Sequence, residues 1–199
     1  KVAKLGEQYR DVVMKMELIQ MDMIYFFTQD ASDLNVVELQ DKTQFLVKKL
    51  SGTDEAQNML WELFQHGQTL AQHSLNVANM SLMLAIGMGE NDEKVLNAIY
   101  FGALCHDLGR TQLPPEAINN PEGDMARKYR LNHPHLGRDI LLQLTGVPME
   151  SLDIVAQHHE RYDGHGHPSR IKGERISPYA QLVSLANFVD NLVSEGQFD

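Results

Sequence analysis

The chain has 199 residues, enough to bury a sizeable core in one or two domains. Hydrophobic residues make up 43%, and the formal net charge of -10 argues against a nucleic-acid polymer as partner, because phosphate backbones are held by basic faces. No apolar run approaches the roughly 20 residues that a bilayer span needs, and no signal peptide is recognisable. Cys105 is the only cysteine, so no internal disulfide can form, and a reducing, cytoplasmic compartment is expected. The chain starts with Lys1 rather than Met and reads as a piece of a longer protein.

Leu, Ala, Met, Glu and Gln outweigh Val-Thr-Tyr alternation, so the expected fold is all-α. Residues 1–28 read as a helix with Val13, Leu18, Met21, Ile24 and Tyr25 near one buried face, and Met14, Met16, Met21 and Met23 as adaptable core filler. Asp30 to Asp33 reads as a break. A second helix runs from Val36 to Leu50, with Val37, Phe45, Leu46 and Leu50 inward, and Ser51-Gly52 closes it. Thr53 or Asp54 is placed to cap a third helix carrying Met59, Leu60, Trp61, Leu63 and Phe64, with His66 at its end. Residues 1–60 carry no recognisable chemistry and form an N-terminal helical region, regulatory or dimerising. Residues 61–199 form the second unit.

Seven of the nine histidines lie between His106 and His167. His73 precedes them, in a helix whose Leu70, Val77, Leu82, Leu84 and Ile86 indicate burial. Asn91 or Asp92 caps the next helix, which runs through Val95, Leu96, Ile99 and Leu104 to Cys105-His106-Asp107. Adjacent His and Asp at a helix end offer a neutral nitrogen and an anionic oxygen, which suits a first-row divalent ion, and a carboxylate can also bridge two ions. Cys105 reads as a small buried thiol rather than a ligand. Leu113-Pro114-Pro115-Glu116 marks a helix start. His133 immediately precedes Pro134, which puts it at a helix boundary, while His135 points elsewhere. A helix with Leu141, Leu142 and Leu144 ends at Gly146. Another, with Leu152, Ile154 and Val155, delivers His158 and His159. Together His73, His106, Asp107, His133, His158 and His159 supply five imidazoles and a carboxylate, enough for two metal ions.

At this point the chain resembles the HD-GYP branch of the HD phosphohydrolase superfamily. The residues that carry the likeness are His106-Asp107-Leu108-Gly109, Leu113-Pro114 to Pro121, His133-Pro134-His135-Leu136-Gly137, His158 through Pro168, and Lys172-Gly173-Glu174-Arg175-Ile176. It covers roughly residues 67–192 and leaves residues 1–60 outside. The resemblance implies an HD-type helical bundle that hydrolyses the second messenger cyclic di-GMP, a small cyclic dinucleotide, through a metal-bridging hydroxide. It implies two divalent ions, iron or manganese, held by His73, His106, Asp107, His133, His158, His159 and Asn187, with Asp107 bridging. Arg110, where the family has Lys, would neutralise a phosphate oxygen, and Arg161, Asp163, Gly164 and Gly166 would hold the substrate.

Three residues depart from the family pattern. His167 replaces the signature Tyr, Asn187 replaces the last ligand Asp, and Thr69 stands where some members carry Glu, so a third metal is not expected. Asn187 brings no negative charge, and Asp190, one helical turn on, offers a compensating carboxylate. Glu160 is a candidate general base or a group that orients an imidazole. His165 and His167 read as loop residues rather than ligands. Two other readings stay open: a module that binds metal and cyclic dinucleotide with little or no turnover, and a hydrolase of another phosphoester.

Overall fold

The computed structural model describes residues 9–29, 34–51 and 69–194. Among them are eight α-helices and no strand: α1 (Arg10–Thr28), α2 (Val36–Leu50), α3 (Leu70–Gly87), α4 (Glu93–Cys105), α5 (Pro115–Asn119), α6 (Asp124–Leu142), α7 (Met149–Gln157) and α8 (Pro178–Val193). Short 3₁₀ turns span Leu108–Gln112 and Gly173–Arg175. The all-α expectation holds. Gly52, Thr53, Asp54, the third helix with Trp61, His66, and the break at Asp30 to Asp33 lie outside the described residues.

Helix starts follow local chemistry. The side chains of Asn35, Thr69 and Asp92 accept backbone N–H groups of Glu38, Gln72 and Lys94 at 3.2, 3.2 and 2.8 Å. Thr69 is thus an N-cap. Pro115 starts α5, where a missing N–H costs nothing.

The centre is the pair α3 and α4, joined by residues 88–92. Both are buried around most of their circumference: α3 from Ala71 to Leu82 and α4 from Leu96 to Cys105. Helix α3 packs on α1 and α8, and α4 on α2 and α7, so each central helix is covered from two sides. Gly102 lets Ile154 of α7 press against α4. Three side-chain hydrogen bonds tie polar groups of α4 to its neighbours. Tyr100 donates its hydroxyl to Asn79 Oδ1 at 2.9 Å, Thr43 to Asn97 Oδ1 at 2.6 Å, and Ser151 to the Ala98 carbonyl at 2.9 Å.

Helices α1 and α2 belong to this same core. Val12, Met16, Ile19, Met23, Leu39, Leu46 and Leu50 join one hydrophobic cluster with α3, α4, α7 and α8. Lys42 of α2, itself buried, meets Asp22 of α1 at 2.6 Å. The buried face of α1 differs from the expected one. Val13 is inward, but Leu18, Met21, Ile24 and Tyr25 are exposed, and the inward row is Val12, Met16, Ile19, Met23 and Phe26. The helix carries apolar residues on two faces, so periodicity alone does not choose between them. Of the methionines, Met16 and Met23 fill core and Met14 and Met21 do not. Val37 is likewise exposed, whereas Leu46 and Leu50 are fully buried.

Candidate metal centre

Every candidate ligand arrives on a helix or at a helix end. His73 sits in the first turn of α3, His106 is the C-cap of α4, and Asp107 follows it at the start of the 3₁₀ turn. His158 is the C-cap of α7, with His159 next. His133 is not at a helix boundary as Pro134 suggests; both lie inside α6. The proline explains the ring instead. Pro134 has no N–H, so the carbonyl of Arg130, four residues back, loses its helical donor. The His133 Nδ1–H takes that carbonyl at 2.6 Å.

The same device recurs at the caps, where the last carbonyls of a helix lack partners. His106 Nδ1 donates to the Ala103 carbonyl at 2.7 Å and His158 Nδ1 to the Val155 carbonyl at 2.9 Å. His73 Nδ1 donates to Asp190 Oδ2 at 2.6 Å. Four imidazoles therefore commit Nδ1 outward and aim Nε2 inward, the usual arrangement of metal-bound histidine.

Those nitrogens converge on Asp107. One donor atom each from His73, His106 and Asp107 lies within 4.8 Å of the others, and so do donors from Asp107, His133, His158 and His159. Asp107 is common to both groups. Two glycines permit the approach. A Cβ on Gly109 would collide with the His133 carbonyl and the Gly137 backbone, so the 3₁₀ turn can lie directly on α6. This brings Asp107 Oδ1 to 3.0 Å from His133 Nε2.

The donor set fits divalent cations. His73 and His106 face each other Nε2 to Nε2 at 3.3 Å, and His133 and His158 at 3.2 Å. With the protons on Nδ1, each pair presents two lone pairs to one another, which is repulsive unless a cation lies between the donors. Protonation of His106 or His158 is opposed. Burial drives His106 down to about 4, against the smaller pull of Asp107. Burial, then the neighbouring imidazoles, also holds His158 and His159 well below the ordinary histidine range. Burial opposes charge on Asp107, but Arg110, then His106 and His133, outweigh it and keep the carboxyl well below its usual range. Neither Asp107 oxygen accepts a hydrogen bond of normal geometry. An ionised, fully buried carboxylate amid nitrogen donors suits a divalent first-row metal ion.

Other expected residues fall elsewhere. Arg110 Nε lies 2.8 Å from Asp107 Oδ1, so it braces the carboxylate. Asp190 is not a compensating ligand: its oxygens take His73 and, at 2.9 Å, the Asn76 side-chain amide. Asn187 is buried, and its oxygen accepts from Asn191 at 3.0 Å. Cys105 is a buried thiol, pushed up to about 12 by burial, outside both donor groups. One oxygen of Glu160 accepts the Ser169 N–H at 2.6 Å and pins the loop after the signature, while the other, buried, accepts no hydrogen bond.

In that loop Arg161 pairs with Asp163 at 2.7 Å, both exposed. Gly164 adopts φ +81°, and a Cβ on Gly166 would strike the backbone of residues 159–161. These glycines are required by the loop's own folding. His165 is exposed. His167 stacks on His159 with ring centroids 4.6 Å apart, and its Nδ1 donates to the Leu131 carbonyl at 3.0 Å. The Asp190 role escaped sequence reading because it depends on α3 and α8 lying side by side.

A family model described as HD domain matches residues 54–199. The chain belongs to the HD domain family. Over 125 residues it is 30% identical to cyclic di-GMP phosphodiesterase PA4108 of Pseudomonas aeruginosa, covering 62% of this chain and 30% of that one. The cyclic di-GMP phosphodiesterase response regulator RpfG of Xanthomonas campestris pv. campestris is 32% identical over 124 residues, 59% of this chain and 32% of that one. A 3'3'-cGAMP-specific phosphodiesterase (number 2) of Vibrio cholerae is 26% identical over 189 residues, 89% of this chain and 34% of its own. The chain thus spans about a third of the length of these curated relatives. Bd1817, a HDG"Y"P protein from Bdellovibrio bacteriovorus, shares the fold of this HD domain chain with a TM-score of 0.76 at 22% identity, over 94% of this chain and 61% of that one.

Proposed function

We propose that this HD domain chain is a metal-dependent phosphodiesterase acting on cyclic di-GMP. The observation that carries the reading is Asp107, a buried carboxylate shared by two groups of inward-facing donors. His73, His106 and Asp107 would hold one ion, and Asp107, His133, His158 and His159 the other. Two such ions, iron or manganese, would supply a water of lowered pKa and neutralise charge on the phosphate oxygens when bound. The chain's own residues do the rest. Backbone carbonyls and Asp190 fix the imidazoles, Arg110 holds Asp107 ionised, and the packed 3₁₀ turn keeps Asp107 beside His133. Arg110, with Arg161, Asp163 and the backbone at Gly164 and Gly166, is the proposed grip on the dinucleotide.

The names of the relatives support a cyclic dinucleotide, and both cyclic di-GMP and 3'3'-cGAMP occur among them. The test is anaerobic loading with Fe2+ or Mn2+ followed by chromatography of each dinucleotide after incubation. Release of a linear product from cyclic di-GMP supports the reading. Faster turnover of 3'3'-cGAMP would move the substrate assignment, and no product from either would remove the activity.

A second reading, a module that binds metal and dinucleotide without turnover, rests on two observations. The Asn187 oxygen is engaged by Asn191, and an imidazole, His167, lies against His159 where the HD-GYP signature has Tyr. Tight binding by calorimetry without product would select it. Residues 1–60 are proposed as a regulatory or dimerising region, supported by the exposed row Met14, Leu18, Met21 and Tyr25 on α1. A cytoplasmic site of action fits the buried, unpaired Cys105.

A further inference from the structure

The hydrogen bonding behind His73 does not stop at Asp190. Asp190 Oδ1 accepts from the Asn76 amide at 2.9 Å, the Asn76 oxygen accepts from Gln72 Nε2 at 3.0 Å, and the Gln72 oxygen accepts from Gln20 Nε2 at 2.7 Å. Gln72, Asn76, Asp190 and His73 are all buried; Gln20 is half-buried on α1. Each of the three amides donates toward the carboxylate, and Asn76 and Gln72 also accept on their far sides. Aligned dipoles of this kind strengthen one another in a dry interior and help hold a negative charge at the end of the chain. That carboxylate in turn fixes the Nδ1–H of His73 and the direction of the inward nitrogen.

We propose that Gln20, Gln72 and Asn76 are positioning residues for the His73–His106–Asp107 donor group, so that the seating of α1 sets the metal affinity of that group and metal bound there tightens α1. This rests on the two-metal reading above. Gln20 lies outside the stretch matched by the HD domain model, so the site extends into the N-terminal region through a relay of side chains rather than through shared packing alone. Because coupling between two sites is reciprocal, it can be read from either end.

The geometry explains why one donor group and not the other is affected. His133 and His158 take their orientation from backbone carbonyls of their own helices. Among the described residues His73 donates instead to a side chain on another helix, and that side chain is the one the relay reaches. Displacing α1 would leave Gln72 without its acceptor-side partner, slacken the chain at Asn76 and free Asp190 to rotate.

The test uses the full 199-residue chain, with Mn2+ as probe. Calorimetric titration of wild type, Gln72→Met and Gln20→Met is compared with His73→Gln, which identifies the step belonging to the His73 group. Losing a group that orients a ligand typically weakens metal binding about 10-fold or more. The expectation is about 10-fold for that step alone in Gln72→Met, and a smaller loss in the same step for Gln20→Met, whose half-exposed site tolerates the change. Hydrogen exchange gives the reverse reading: Mn2+ should slow α1 amides in wild type and not in Gln72→Met. Equal weakening of both steps, or an unchanged His73 step in both variants, overturns the relay while leaving the two-metal reading intact. No Mn2+ binding by wild type overturns both.

Discussion

Pro134 has no N–H, and the Arg130 carbonyl that it leaves open is where the His133 ring is anchored. Pro134→Ala restores a competing donor, so two effects of opposite sign are expected. The metal-free helix gains stability, since an interior proline costs about 3 kcal/mol in an otherwise regular helix. Metal affinity at the Asp107–His133–His158–His159 group falls about 10-fold. Thermal melts and Mn2+ titration read the two effects separately, and an unchanged affinity would remove the proline's role. At this scale the candidate donors that the fold gathers were legible in the sequence, because His and Asp types at helix ends carry their chemistry openly. Their orienting partners were not. Asp190 reads as a spare ligand until α8 is seen beside α3, and the hold of Glu160 on the Ser169 N–H appears only when the loop is seen folded back. His133 lies inside α6 rather than at a boundary because the steric restriction on a residue before proline disfavours the helical conformation without forbidding it.

The 3₁₀ turn Leu108–Gln112 against α6 is the contact that joins the two halves of the site. Gly109→Ala would push a methyl into the His133 carbonyl and the Gly137 backbone, neither of which can yield as a flexible side chain does. The expected outcome is a loss of about 2–3 kcal/mol in urea unfolding, with both metal steps weakened because Asp107 serves both groups. A neutral Gly109→Ala would contradict the packing described. Helix starts were marked at Asp92 and Pro115, whose capping chemistry is local, whereas the caps Asn35 and Thr69 went unread. The inward face of α1 was not, because Leu18, Met21 and Tyr25 form an apolar row as regular as the buried Val12, Met16, Ile19 and Met23. What selects between such rows is the partner helix, which a periodicity does not contain.

Across the molecule, one core spans the N-terminal helices and the HD domain, so unfolding reports on both. The buried imidazoles make that stability depend on pH in the metal-free state. His106 is lowered from 6.5 to about 4, and His158 and His159 are lowered too. A folded-state pKa below the unfolded one means that the unfolded chain binds more protons in between, so stability falls as pH drops from about 6.5 toward 4. The metal-free thermal midpoint should fall by about 5 °C or more between pH 7 and pH 5, and metal should be released over the same window. A flat profile would mean that these rings are not buried neutral. The order of the motifs made the HD-type site legible at this scale, but its connection to Gln20 was hidden, since a relay across α1, α3 and α8 leaves no spacing signature. The most direct test of the central claim is one anaerobic preparation assayed for metal content and cyclic di-GMP hydrolysis, beside Asp107→Asn. About two ions per chain and a linear product are expected in wild type, with loss of metal and at least about 100-fold lower turnover in the variant. Undiminished hydrolysis by Asp107→Asn, or turnover by a metal-free wild type, would contradict it.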